Sequence, residues 1–407
     1  MGAEPKLWVV LGRPVRLANA LIAARALRNL FPAGTCLVRD DSQWWDRANW
    51  QAYAKSFAAV YAFPRVKTSR GIFDLMRLYR DTAGRKSEVA KLPIDPDRDV
   101  LLSLASVVGL ANAVVSTHPG VYKILCISKS GYENITRYPD RIRYRFTTSG
   151  WLQNRLVEPL AGVERTLNFK PRLNPGGDGV RLIRLQKELS SVYQTVVCMS
   201  NTGREMPRNA DSHVIPARFP TMAELPDLPV STPSGPIQRR RVIFFGTPFL
   251  LIANLPADIY VEHLNRCLDF LRRSYPDADL VYRPHPIETK EASRLAMDTF
   301  RIEDDREAAE LYFMRHFAEI EAVYSVSSGV SRTALNYGLN AYTLWRTFPF
   351  PETAAAFFEK TMGDVPPEFD IRDLTKPPIA YQSSRAIDPE THSFGEALRI
   401  AVQRRSA

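Results

Sequence analysis

Two motifs in the C-terminal half of the chain carry the residue types best suited to chemistry on an anion. The first, Val281-Tyr282-Arg283-Pro284-His285-Pro286, ends an apolar, strand-like run with a histidine between two prolines. The prolines keep the flanking backbone out of helix. An imidazole there can donate to a phosphate or protonate a leaving group near neutral pH. The second, Val323-Tyr324-Ser325-Val326-Ser327-Ser328-Gly329, ends another apolar run in hydroxyls and a glycine, with a helix expected from about Val330 or Ser331. Free amides and the helix dipole at such a start attract phosphate, and Ser327, Ser328 and Gly329 supply donors and room. Gly246-Thr247-Pro248 ends a third apolar run and could bring its backbone against a nucleotide. Each motif also has a plain structural reading: a histidine in a turn, a serine N-cap that needs no ligand, an ordinary turn. Taken together they describe loops at the carboxyl edge of a parallel sheet, facing one nucleotide phosphate.

The elements that must position these loops are α/β in pattern. Residues 7–11 read as a buried strand, 12–14 as a turn and 17–30 as a helix with Leu17, Leu21, Ala24 and Leu27 on one stripe. Residues 35–38 read as the next strand, with Asp40-Asp41-Ser42 as a capping cluster and 44–60 as a helix. Apolar runs follow at 100–108 and 122–127, and 194–199 reads as the last or nearly last strand of this half. Six prolines between 216 and 236 then exclude helix and central strand. A second alternation follows: strands at 241–245, 280–282, 322–324 and 341–345, helices at 257–275, 308–320 and 331–339, and a final helix at 394–403. The expectation is two doubly wound, Rossmann-like α/β domains facing a cleft, spanning 1–215 and 241–407 with a Pro-rich linker at 216–240, and a last helix that can cross back. Ligands on such sheets sit outside the carboxyl ends of the strands.

Composition narrows the partners. The 407 residues are 45% hydrophobic and 24% charged, as in a soluble globular protein of about two domains. No apolar stretch reaches the roughly 18 residues of a membrane span, and the run at 7–11 is too short for a signal-peptide core. A cytoplasmic location is therefore expected, with room for peripheral association at the inner membrane. Cys36, Cys126, Cys198 and Cys267 lie far apart in apolar segments, which suits buried free thiols rather than disulfides or zinc. A net charge of +10 favours an anionic partner. The absence of helix-turn-helix, zinc-finger and ribonucleoprotein patterns argues against nucleic acid.

The His-Pro motif, the downstream Ser-Ser motif, the Gly-Thr-Pro strand end and the opening Arg13-Pro14-Val15-Arg16-Leu17-Ala18-Asn19-Ala20 resemble the bacterial sialyltransferases and capsular polysialyltransferases of the GT-B type. The resemblance covers most of the chain and is most specific over 241–345. It implies an inverting glycosyltransferase that moves an acidic sugar from a CMP-activated donor to a glycan or polysaccharide acceptor, which can itself be acidic, with no metal and no cofactor. It also implies an acceptor side in the N-terminal domain and a donor side in the C-terminal one. Carried over residue by residue, His285 contacts the departing CMP phosphate, Ser327 and Ser328 hold it, and Glu310 binds the ribose. A solvated helix face is the plain alternative for Glu310. Gly246, Thr247, Arg283, Pro286 and Gly329 complete the expected nucleotide set.

One feature departs from the family. Its acidic pair before a glycine is replaced here by Ser128-Lys129-Ser130-Gly131-Tyr132-Glu133. The general base is then expected from Asp40 or Asp41, at another strand end, or from Glu133. In Arg141-Ile142-Arg143-Tyr144-Arg145-Phe146, strict alternation would put Arg141, Arg143 and Arg145 on one strand face. There, with Arg13, they could grip acceptor carboxylates, or simply meet solvent. The missing acids keep two alternatives open: a catalytically impaired nucleotide- or glycan-binding protein of polysaccharide assembly, or a transferase using CMP-Kdo or a CDP-linked donor.

Overall fold

The computed structural model describes residues 4–11, 16–41, 45, 50–64, 75–104, 110–128, 144–145, 180–181, 193–200, 214–221, 224, 240–247, 255–285, 288, 293–304, 307–352, 354–355, 358–359, 365–380 and 391–405. The chain forms two compact units. One is Met1–Arg218 with Asp388–Ala407, the other Phe219–Ile387.

The first unit is built on a seven-stranded parallel sheet. Its strands are β1 (Leu7–Leu11), β2 (Thr35–Asp41), β3 (Ala59–Pro64), β4 (Val100–Leu104), β5 (Tyr122–Ser128), β8 (Thr195–Ser200) and β9 (Val214–Arg218), in the order β3-β2-β1-β4-β5-β8-β9. Two short strands, β6 (Tyr144–Arg145) and β7 (Val180–Arg181), pair antiparallel apart from it. The helices are α1 (Leu17–Ala26), α2 (Gln51–Ala54), α3 (Leu75–Val89) and α4 (Leu110–Thr117). The central strands are buried end to end, which explains their continuous rather than alternating apolar pattern. The Asp99 carboxylate pins the amino edge by accepting from the Lys6 amide at 2.8 Å, the Trp8 indole at 2.7 Å and the Asp95 amide at 2.9 Å.

One expectation is corrected in this unit. The single helix over 44–60 gives way to the short α2 and the strand β3. Parallel pairing with β2, Cys36 opposite Ala59 through Asp41 opposite Pro64, outweighs the local helical spacing. Pro216, the first proline of the Pro-rich segment, sits in β9, in keeping with the expectation that the segment forms no central strand. That strand is at the sheet edge, where a missing amide costs no ladder bond.

The final helix, α8 (Phe394–Gln403), belongs to this first unit and packs on α1, β8 and β9. The Tyr122 hydroxyl donates to the Ala401 carbonyl at 3.1 Å, and Arg399 Nε donates to the Ala26 carbonyl at 3.1 Å. With the sheet on one side and α8 on another, every residue of α1 from Leu17 to Ala23 is buried. None of the four cysteines forms a disulfide, and all are buried. Among the described residues no helix is long and apolar enough to cross a membrane.

The second unit holds a five-stranded parallel sheet. Its strands are β10 (Arg241–Phe245), β11 (Asp279–Arg283), β12 (Arg301–Ile302), β13 (Ile320–Ser325) and β14 (Asn340–Thr343), in the order β12-β11-β10-β13-β14. Helices α5 (Ala257–Ser274), α6 (Ala309–His316) and α7 (Gly329–Asn336) connect them. Tyr282, Phe244, Tyr324 and Tyr342 stand in one register row across four neighbouring strands. Phe244 stacks on Tyr282 at 5.7 Å and Tyr324 on Tyr342 at 4.9 Å. The α5 stripe of Tyr260, Leu264, Cys267, Leu268 and Leu271 closes the same core.

Candidate functional site

The three motifs meet on one sheet edge. β10 lies between β11 and β13, with Phe245 opposite both Arg283 and Ser325. Gly246-Thr247, Pro284-His285 and Val326-Ser327-Ser328 are therefore the direct carboxyl-end continuations of three adjacent parallel strands. Strands are spaced by about 4.8 Å, so the His285 and Ser327 loops leave the sheet about 10 Å apart, with Gly246 between them.

Gly246 is where the backbone comes closest. Its amide donates to the Arg283 carbonyl at 2.9 Å, which keeps β10 paired to its end. A Cβ here would lie 2.9 Å from the His285 amide nitrogen and 2.5 Å from Glu288 Oε2. No side chain fits without moving that loop. Thr247 is buried, its carbonyl accepts from the Tyr260 hydroxyl at 3.2 Å, and its own hydroxyl has no hydrogen-bond partner among the described residues.

Glu288 organises the histidine loop, and nothing in the sequence reading singled it out. Its amide donates to the His285 carbonyl at 2.8 Å, and its Oε2 accepts from the His285 amide at 3.0 Å. Its Oε1 accepts from the Tyr282 hydroxyl. Burial pushes the Glu288 carboxyl up, against the opposing pull of the Tyr282 and His285 donors. His285 is half-buried, and burial holds its imidazole below the usual histidine value. A neutral ring then donates or accepts one hydrogen bond from each nitrogen. The three-residue spacing of His285 and Glu288 is the signal that could have revealed the pair.

On the other side of Gly246, Ser328 is the N-cap of α7, accepting from the Val330 amide at 3.2 Å. Ser327 and Ser328 are half-buried and Gly329 is exposed, with open space around any added Cβ. Beneath them, fully buried Ser325 and Ser331 join their hydroxyls at 2.7 Å, tying the end of β13 to the first turn of the helix. That pair also escaped the sequence reading.

Arg283, expected in the nucleotide set, is a buried ion-pair partner in the structure. Its Nη1 meets Glu303 at 3.3 Å, its Nη2 donates to the Glu307 carbonyl at 3.2 Å, and its guanidinium lies 3.9 Å over the Tyr312 ring. The strand register turns this side chain away from solvent, where its charge is compensated inside the domain. Glu310 is likewise buried, in the first turn of α6, so a solvated face is overturned. Phe313, one turn on, packs edge-on against Phe245 at 5.7 Å, which brings the start of α6 to the same carboxyl edge.

In the first unit, Asp40 and Asp41 are the last two residues of β2. Asp40 accepts from the Trp45 indole at 3.1 Å, and the exposed Asp41 lies 3.9 Å from Arg39. The Arg39 guanidinium stacks over Trp50 at 4.6 Å and Trp45 at 5.2 Å. Arg145 lies in β6. Arg13, Glu133, Arg141, Arg143 and Pro286 lie outside the described residues.

No protein-family model and no curated protein sequence matches the chain. Solved structures do. UDP-GlcNAc 2-epimerase from Neisseria meningitidis bound to UDP-GlcNAc superposes with a TM-score of 0.51 at 15% identity, over 99% of this chain and 99% of that one. The S. aureus MnaA–UDP structure gives 0.51 at 11%, over 99% and 96%. The chain has the GT-B fold. An α/β-galactoside α-2,3-sialyltransferase from Photobacterium phosphoreum reaches 0.49 at 10% identity, over 91% and 98%. At these identities the GT-B likeness speaks for architecture, and the chemistry has to come from the side chains at the sheet edge.

Proposed function

We propose that the chain is a GT-B glycosyltransferase that takes an acidic sugar from a CMP-activated donor. The observation that carries the reading is the convergence of Gly246-Thr247, His285 and Ser327-Ser328 on the carboxyl ends of three neighbouring strands. Unsubstituted backbone at Gly246, a half-buried imidazole on one side and the amides of a helix start on the other suit one phosphate. In the proposed reaction an acceptor hydroxyl attacks the anomeric carbon. The bond from that carbon to the phosphate oxygen breaks, and negative charge grows on the CMP phosphate. His285 and the start of α7 stabilise that charge as the leaving group departs. Asp40, Asp41 or Glu133 is the candidate to accept the hydroxyl proton. Glu310, buried at the start of α6, is the candidate for the ribose.

Titration calorimetry with CMP tests the donor side, and CMP release from CMP-sialic acid in the presence of acidic glycans tests transfer. His285→Ala should lower turnover by about a hundredfold or more while the protein stays folded. A well-folded protein that binds neither CMP nor a CMP-sugar refutes the reading. A second reading is favoured by the UDP and UDP-GlcNAc held by the two structures of TM-score 0.51: the same edge would take a UDP-sugar. Tighter binding of UDP than of CMP selects it.

A further inference from the structure

We propose that Glu288 is a positioning residue for His285, holding the loop that presents the imidazole at the sheet edge. This rests on the reading of that edge as a nucleotide site, but it makes a claim about the unliganded protein as well.

His285 lies two residues past the end of β11, and neither a helix nor a strand holds it there. Its backbone is held from both sides by a single residue. The Glu288 amide donates to the His285 carbonyl, and the Glu288 carboxylate accepts the His285 amide. The carboxylate is in turn held by the hydroxyl of Tyr282, a residue buried in the aromatic row of the sheet. A rigid strand residue thus fixes a carboxylate, which fixes the amide of His285. Gly246 completes the lock, because only a residue without Cβ leaves room for Glu288 Oε2 and the His285 amide beside the central strand. A half-buried carboxylate beside a phosphate site would repel the ligand unless its charge were occupied. Here both oxygens accept hydrogen bonds from the protein, so the charge serves the loop.

The test uses the full chain with Glu288→Gln, Glu288→Ala and Tyr282→Phe, alone and combined with His285→Ala. The His285 ring is followed by NMR titration of histidine-labelled protein, assigned by its loss in His285→Ala. In Glu288→Ala the ring should gain solvent, and its pKa should move up toward that of an exposed histidine. Glu288→Gln keeps one acceptor and should fall between. For CMP, Glu288→Ala should weaken binding about tenfold, the worth of one charge-assisted hydrogen bond. In the His285→Ala background the same change should have almost no further effect. A merely structural glutamate would lower the melting temperature and weaken CMP equally in both backgrounds, which overturns the proposal. So does an unmoved His285 titration in all three variants. If the wild type binds no nucleotide while the His285 titration still follows Glu288, the positioning role stands and the nucleotide reading falls. Should Glu288→Ala not fold, Glu288→Gln and Tyr282→Phe carry the same comparison.

Discussion

Replacing Gly246 by alanine tests the sheet edge with a single methyl group. The new Cβ would lie 2.5 Å from Glu288 Oε2, 3.0 Å from Glu288 Cδ and 2.9 Å from the His285 amide nitrogen. Ordinary non-bonded contacts are about 3.5 Å or more, so the His285 loop must retreat by about 0.5–1 Å. The Glu288 oxygen cannot simply swing aside, because it accepts the His285 amide while its neighbour accepts the Tyr282 hydroxyl. Overpacking of this kind costs about 1–3 kcal/mol. For a domain of this size each kcal/mol lowers the melting temperature by about 2–4 °C. A displacement near 1 Å of a group that meets the reacting phosphate costs up to about a hundredfold in rate. Differential scanning calorimetry and CMP-release kinetics should therefore show a modest fall in stability and a disproportionate fall in turnover. Gly329→Ala is the stability control: open space surrounds its Cβ site, and alanine in a helix is favoured over glycine by up to about 1 kcal/mol. A Gly246→Ala protein with the melting temperature, CMP affinity and turnover of the wild type would refute the close approach of the two loops.

Three further outcomes follow from particular contacts. Ser325→Ala leaves the buried Ser331 hydroxyl without its partner and should cost about 1–3 kcal/mol in denaturant unfolding, with the Ser325→Ala/Ser331→Ala double variant losing less than the sum. Burial holds the His285 imidazole below its ordinary value, and a bound phosphate should raise it, so CMP binding takes up a proton. The sign makes affinity greatest on the acid side and falling as pH rises through the bound-state value. Calorimetry in buffers of different ionisation heat reads that uptake, and His285→Ala should abolish it. Ser393→Ala removes the cap of α8, where Ser393 and Glu396 bond each other's amides, and should cost about 1 kcal/mol in urea unfolding. The same bonds hold the Glu396 carboxyl below the usual carboxylate range. Its contribution is thus full above the unfolded value and is lost as pH falls through the folded one.

Local pattern determined a great deal here. Continuous apolar runs marked β1, β4, β10 and β13, helical spacing marked α1, α5 and α8, and the position of His285 and of Ser327-Ser328 just past strand ends was readable from residue order alone, because strand and helix periodicity are properties of neighbouring residues. The weak spots were local as well: 44–60 carries a helical spacing that β3 overrides, since its strand state depends on β2 as a partner. Only the tertiary structure decided that β10 stands between β11 and β13, and so that three motifs spread over residues 246–328 share one edge. It alone buried Arg283 against Glu303 and Tyr312, brought Glu288 against Gly246, and returned α8 to the first unit. Those are contacts between residues far apart in sequence or across a turn, and their energy depends on which strands pair and what a side chain then meets, which no window of the chain contains.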